Sequence, residues 1–180
     1  MRPDPQLLEH PHAVEVRGEP TAFVTHPAIV ESRELLWSSE AECAAFAARL
    51  ATRPALADAL ITLDGPLGAG KTTFVRHLLR ALGVSGRIKS PTYALLEPYE
   101  VAGHSVSHID FYRFDDPREW IDAGLRDVFA GPGLKLVEWP GKAGDLLPVA
   151  DLRLQIEPLA DERRQVLVHA TSARGVELLA

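Results

Sequence analysis

A single cysteine, Cys43, leaves this chain without a partner for an internal disulfide and without the ligands for a cysteine-built zinc site. That is the pattern of a reducing compartment, and the cytoplasm is the expected location. Long apolar runs are also missing: nothing approaches the roughly 20 consecutive apolar residues that cross a bilayer. The opening Met1-Arg2-Pro3-Asp4-Pro5 has no apolar run of the signal-peptide kind, so an unexported protein with no membrane partner is expected. Basic charge is in deficit, with 19 Lys and Arg against 25 Asp and Glu and a net charge of −6. An acidic surface has no general pull on nucleic-acid phosphates, so any contact with RNA should be indirect.

At 180 residues and 46% hydrophobic content, the chain can bury one substantial core but is short for two. Residues 1–32 hold five of the fourteen prolines and three of the seven histidines without sustained periodicity, and read as an N-terminal extension outside the core. His10, His12 and His26 in that stretch read as solvated side chains rather than metal ligands.

Regular patterning begins at residue 33, and residues 33–180 read as one domain. Residues 33–37 suggest a short strand, and Ser38-Ser39-Glu40 offers N-cap chemistry for a helix ending before Pro54, with Ala44, Ala47, Ala48 and Ala51 on one face. Leu60-Ile61-Thr62-Leu63 is a β-biased run leading into a glycine loop. A helix over residues 72–82 follows, with Phe74, Val75, Leu78, Leu79 and Leu82 at helical spacing and Gly83 placed to end it. Further strands are expected near 93–97, 105–110 and 134–138, with a short helix around 117–123. The alternating runs 152–157 and 165–169 suit an antiparallel C-terminal pair. The expected fold is a three-layer α/β domain with a mixed, largely parallel sheet.

Between the run at 60–63 and the helix at 72 lies Gly65-Pro66-Leu67-Gly68-Ala69-Gly70-Lys71-Thr72, a glycine, four residues, then glycine, lysine and threonine. This is the phosphate-binding loop signature in its required strand–loop–helix setting. Its glycines let successive amides, those of Gly68 through Thr73, point inward at a phosphate, and the following helix adds the positive end of its dipole. Lys71 can reach the β and γ phosphates, and the Thr72 hydroxyl can bind Mg²⁺. Pro66 removes one amide at the start of the loop, ahead of those that cradle phosphate.

Two carboxylates complete the candidate site. Glu138 ends the apolar strand 134–138, where a carboxylate at the strand's C-terminal edge faces the phosphate loop and can hold Mg²⁺; its alternative is a strand-end acid in solvent. Asp110 ends the preceding strand and can bind at the metal or orient the attacking water; its alternative is a structural salt bridge to Arg113. Thr92 is placed like a switch threonine that senses the γ phosphate, or else is a turn residue fixed by Pro91. Tyr112 reads as a core aromatic, and His108 either orients a neighbour or is a hydrogen-bonded structural histidine.

Gly68-Ala69-Gly70-Lys71-Thr72-Thr73-Phe74, then Ser90-Pro91-Thr92-Tyr93, His108-Ile109-Asp110-Phe111-Tyr112-Arg113 and Glu138-Trp139-Pro140, in this order, resemble the TsaE family, formerly YjeE. The resemblance runs over roughly residues 33–170 and is far more specific than the loop alone. It implies a P-loop NTPase-like ATPase, using ATP or ADP and Mg²⁺, that is needed for threonylcarbamoyladenosine in tRNA. Such a protein works with the TsaD and TsaB proteins, which carry out the transfer. It also implies that Asp110 and Glu138 serve metal and hydrolysis, with Asp110, Lys71 and Thr92 in catalysis and Trp139 a neighbour of the bound nucleotide. Cys43 stands where the family commonly has a threonine near the nucleotide.

Two other classes use the same loop. A small-molecule kinase needs an acceptor pocket and an arginine-bearing lid, and no clear lid is visible between Asp110 and Leu134. A nucleotide-timed binding module needs no productive hydrolysis. The Asn-Lys-x-Asp pattern of guanine readers is absent.

Overall fold

The computed structural model describes residues 28–101 and 103–180; most of the N-terminal extension, with His10, His12 and His26, lies outside the described residues. In chain order the elements are β1 (Glu31–Trp37), α1 (Glu40–Ala51), a 3₁₀ turn (Pro54–Asp58), β2 (Leu60–Asp64), α2 (Lys71–Ala81), β3 (Leu96–Val101) and β4 (His104–Asp110). Then follow α3 (Pro117–Asp122), α4 (Leu125–Ala130), β5 (Leu134–Glu138), α5 (Pro140–Ala143), β6 (Leu152–Pro158), β7 (Arg164–Ala170) and α6 (Ala173–Leu179).

The seven strands form one sheet in the order β1-β7-β6-β2-β5-β4-β3. β6, β2, β5 and β4 are mutually parallel, and β7 and β3 run against their neighbours. Alternation along the strands sends side chains to both faces. On β2, Ile61 and Leu63 join α1 and α2 in the larger core, whereas Leu60 faces the other way. There Leu60 meets Ile109, Val137, Trp120 of α3 and Leu125 of α4. Helices on both faces of the sheet make three layers, as expected from the sequence.

Several local readings change. β1 begins at Glu31, because Ser32 pairs with His169 and the Val30 amide reaches Ala170 O at 2.8 Å. The strand expected over 93–97 is instead Leu96–Val101. Pro91 O accepts from the Leu95 amide at 2.7 Å and Leu95 sits at φ 63°, so the chain is still turning there. Pro98 lies within β3 without cost to the ladder because β3 is the sheet's edge. In α1 the buried face is Cys43, Phe46, Ala47 and Leu50, not the alanine stripe, and Ala48 is exposed. The larger side chains take the core because they bury more apolar area. α2 ends as expected: Gly83, at φ 102°, donates to Arg80 O, and Val84 donates to Leu79 O.

Candidate functional site

The parallel strands bring their C-terminal ends to one edge of the sheet, and the loop after β2 turns there into α2. Gly65 opens that turn at φ 141°, and a Cβ on it would stand 2.2 Å from Ile156 O of β6. Only glycine fits against the neighbouring strand in this way. Gly68 and Gly70, at φ 80° and 111°, supply the left-handed conformations that curl the loop. Among the described residues, the amides of Gly68, Gly70, Lys71, Thr72 and Thr73 find no acceptor in the protein, which leaves an array of donors at the start of an eleven-residue helix.

Lys71 is 4% exposed. Its ammonium donates to Gly65 O at 2.6 Å and to Pro66 O at 2.9 Å, and it lies 3.8 Å from the centre of the Trp139 ring. Burial pushes its pKa down, while Glu138, Asp64, Asp110 and Glu157 pull the other way. Trp139 is itself held in the left-handed region at φ 59°, unusual for a bulky residue. Its amide is tied to Leu63 O at 3.2 Å, and its ring packs 5.1 Å from that of Tyr112. Tyr112 is 38% exposed, so it is not the core aromatic that its spacing suggested. The core position falls to its neighbour Phe111, which points to the opposite face and is fully buried.

Asp110 and Glu138 end adjacent parallel strands, paired in register, and each is 2% exposed. The Thr72 hydroxyl lies 2.9 and 3.0 Å from the two oxygens of Glu138, and His108 Nε2 lies 2.8 Å from Oε1. Asp110 accepts from the Thr92 hydroxyl at 2.6 Å through Oδ2 and from the Tyr112 amide at 2.8 Å through Oδ1. Asp110 makes no ion pair with Arg113, whose guanidinium lies 4.2 Å from the centre of the Tyr93 ring. The site therefore gathers two buried carboxylates against one buried ammonium, an imbalance that a cation would relieve. Hard oxygen donors on Thr72 and the two acids suit Mg²⁺, which completes its shell with water and phosphate oxygens.

A cavity of about 270 Å³ joins these parts, bordered by Gly68, Lys71, Thr72, Thr92, Asp110 and Glu138. A second, of about 540 Å³, shares Gly70 and Thr73 with it and extends toward β1 and α1, where Trp37, Ser39, Cys43 and Arg164 border it. Ala69 borders this larger cavity, and Gly65 acts through its backbone rather than by facing either space. The site residues read from the sequence thus converge on one place. The sequence reading missed Arg164, whose guanidinium holds Ala69 O at 3.2 Å from the start of β7. No local spacing could have found it, since 95 residues separate the two.

Residues 37–166 match the family model described as threonylcarbamoyl adenosine biosynthesis protein TsaE. The chain belongs to the TsaE family. Among TsaE relatives, the tRNA threonylcarbamoyladenosine biosynthesis protein TsaE of Haemophilus influenzae is 42% identical over 113 residues, 63% of this chain and 72% of that protein. The protein of the same description from Bacillus subtilis is 36% identical over 64% of this chain and 72% of its own length. The crystal structure of Bacillus subtilis YdiB superposes with a TM-score of 0.69 at 28% identity, covering 84% of this chain and 94% of that one. The TsaE match thus spans the loop, both carboxylates and the β7 residue Arg164.

Proposed function

We propose that this chain is a Mg²⁺-dependent ATPase that serves threonylcarbamoyladenosine modification of tRNA, acting with TsaD and TsaB rather than performing the transfer. The observation that carries the reading is the meeting of the loop's free amides with Thr72, Glu138 and Asp110 around one cavity. The family membership supports the tRNA role, and the net charge of −6 supports an indirect contact with tRNA.

Each part has a task that follows from its chemistry. The amides of Gly68 and of Gly70 to Thr73, at the N-terminus of α2, receive the phosphates, while the Ala69 amide stays with Pro66 O, and the larger cavity beside Cys43 takes the nucleoside. Lys71 exchanges its two carbonyl partners for phosphate oxygens, which compensates an ammonium already stripped of water. Thr72 and Glu138 are the residues that would hold Mg²⁺, with Asp110 beside them. Once bound, the ion supplies positive charge against the phosphate oxygens. Asp110 orients the attacking water, its own carboxylate held by the Tyr112 amide and the Thr92 hydroxyl. The Thr92 contact also couples the 90–93 turn to the catalytic acid, as a switch segment requires. A kinase lid finds no support: α3 and α4 bury Trp120 and Leu125 in the core beneath the sheet.

Hydrolysis should be weak in the isolated protein and rise when TsaB and TsaD are added. Lys71→Ala should abolish it and weaken ATP binding by at least tenfold, read by phosphate release and calorimetric titration. Undiminished hydrolysis in Lys71→Ala would remove the loop from the reaction, and a phosphorylated metabolite as product would favour a kinase.

A further inference from the structure

His108 is fully buried on β4, two residues before Asp110, and among the described residues its ring has one polar partner, Glu138. A carboxylate oxygen only accepts, so Nε2 carries the hydrogen of that 2.8 Å bond. The other ring nitrogen, Nδ1, is buried with no hydrogen-bond partner among the described residues. A second hydrogen there would be buried without an acceptor, so the ring donates at Nε2 alone. A histidine serving only the fold would ordinarily satisfy both nitrogens. This one gives up hydration at Nδ1 and keeps a single bond, directed at the acid that faces Thr72.

We propose that His108 is a positioning residue that sets the orientation of the Glu138 carboxylate for Mg²⁺-nucleotide binding, an inference that rests on the nucleotide reading above. Thr72 Oγ1 is nearly equidistant from Oε1 and Oε2, at 2.9 and 3.0 Å, yet it has one hydrogen to give. The threonine alone therefore leaves the carboxylate free to rock between two arrangements. His108 resolves the choice by occupying Oε1 from the β4 side, which frees the Thr72 hydrogen for Oε2. Because strands β4 and β5 are locked in register, with His108 opposite Leu136 and Asp110 opposite Glu138, the donor is delivered by the rigid sheet rather than by a loop.

The test is a titration of the full-length protein with the non-hydrolysable analogue AMP-PNP at increasing MgCl₂, with parallel runs in EDTA. His108→Leu keeps the volume and removes the donor, and His108→Gln keeps an N–H₂ at about the reach of Nε2. The expected result is at least a tenfold rise in the Mg²⁺ needed for half-maximal binding in His108→Leu, the scale of loss for residues that orient metal ligands. His108→Gln should stay within about threefold of the parent, and EDTA affinities should match in all proteins. An unshifted midpoint in His108→Leu overturns the proposal, and so does an equal shift in His108→Gln, since the donor would then be irrelevant. If His108→Leu does not fold, His108→Asn takes its place: its amide is one carbon too short, so it should shift the midpoint while Gln does not. Absence of AMP-PNP binding by the unaltered protein, with or without Mg²⁺, overturns the nucleotide reading together with this one; an altered Mg²⁺ midpoint separates the two.

Discussion

Gly65→Ala is the sharpest test of the loop geometry, because two separate penalties fall on one methyl group. The new Cβ would lie 2.2 Å from Ile156 O, a main-chain atom of a central strand, and 3.2 Å from the Ala69 methyl. Ordinary carbon–oxygen contacts begin at about 3.3 Å, so the loop or β6 must move by roughly 1 Å. Overpacking of this kind costs about 1–3 kcal/mol, and holding a non-glycine residue at φ 141° costs about 1–3 kcal/mol more. The middle of the two ranges together is about 4 kcal/mol, and at about 2–4 °C per kcal/mol for a domain of this size Tm should fall by roughly 8–16 °C. Gly68→Ala is the control. Its φ of 80° carries the conformational penalty, but no heavy atom lies within 4 Å of the added methyl, so its loss should be about half as large. If the loop yields instead of the fold, the amides at the start of α2 that receive the phosphates are displaced, and Mg²⁺-AMP-PNP affinity should fall at least tenfold. Thermal melts and titration of both variants read the two outcomes. A Gly65→Ala protein that melts within about 2 °C of the parent and binds nucleotide equally would refute the reasoning.

Asp110→Asn should leave nucleotide affinity within about threefold while lowering hydrolysis by about 10²–10⁴, the range for loss of a positioned proton acceptor; single-turnover phosphate release checks it, and a loss of binding without a loss of rate would move Asp110 from catalysis to ligand holding. Cys43 is 4% exposed, and burial, with Glu40 nearby, pushes its thiol from 9.0 up to about 12. Its thiolate should be about a thousandfold scarcer than in the unfolded chain, so native labelling by a thiol reagent at neutral pH should be at least that much slower than labelling in urea. Because the folded value is raised, the thiol's contribution to stability is intact below about pH 9 and is lost as pH climbs toward 12; equal labelling rates in both states would refute the burial.

The loop was legible because its signature is a local spacing whose geometry is carried by glycines, and the acids were legible because each is the last residue of a strand-like run, apolar in the case of Glu138. What the sequence concealed depends on neighbours distant along the chain. Residues 93–95 read as the start of a strand because Tyr93, Ala94 and Leu95 have β-like or apolar character, whereas the Leu95 amide is taken by Pro91 O before the ladder begins. Tyr112 and Phe111 are adjacent aromatics, and only the end of β4 decides which one faces the core. The alanines of α1 share a helical face on paper, but Phe46 and Leu50 displace that face toward themselves, and Phe46 meets Trp37 and Phe74 with ring centres 5.9 and 6.0 Å apart. Arg164 could not be read at all, since its partner Ala69 belongs to a loop a whole sheet topology away.

Strand order explains why two such ordinary carboxylates become a site. β5 is inserted between β2 and β4, although it follows both in the chain. Parallel pairing with β2 sets Leu63, the residue before the last of that strand, opposite Glu138, and parallel pairing with β4 sets Asp110 opposite the same Glu138. One glutamate thus lies beside the phosphate loop on one side and the second acid on the other. Antiparallel pairing at either join would carry one of these groups to the opposite edge of the sheet, some 15 Å away for a five-residue strand. The same insertion brings Trp139, the next residue, over Lys71. A sequence scan sees three separate strand ends; the crossover that places β5 in the middle makes them one charged cluster, and this is where the chemistry of the chain is decided.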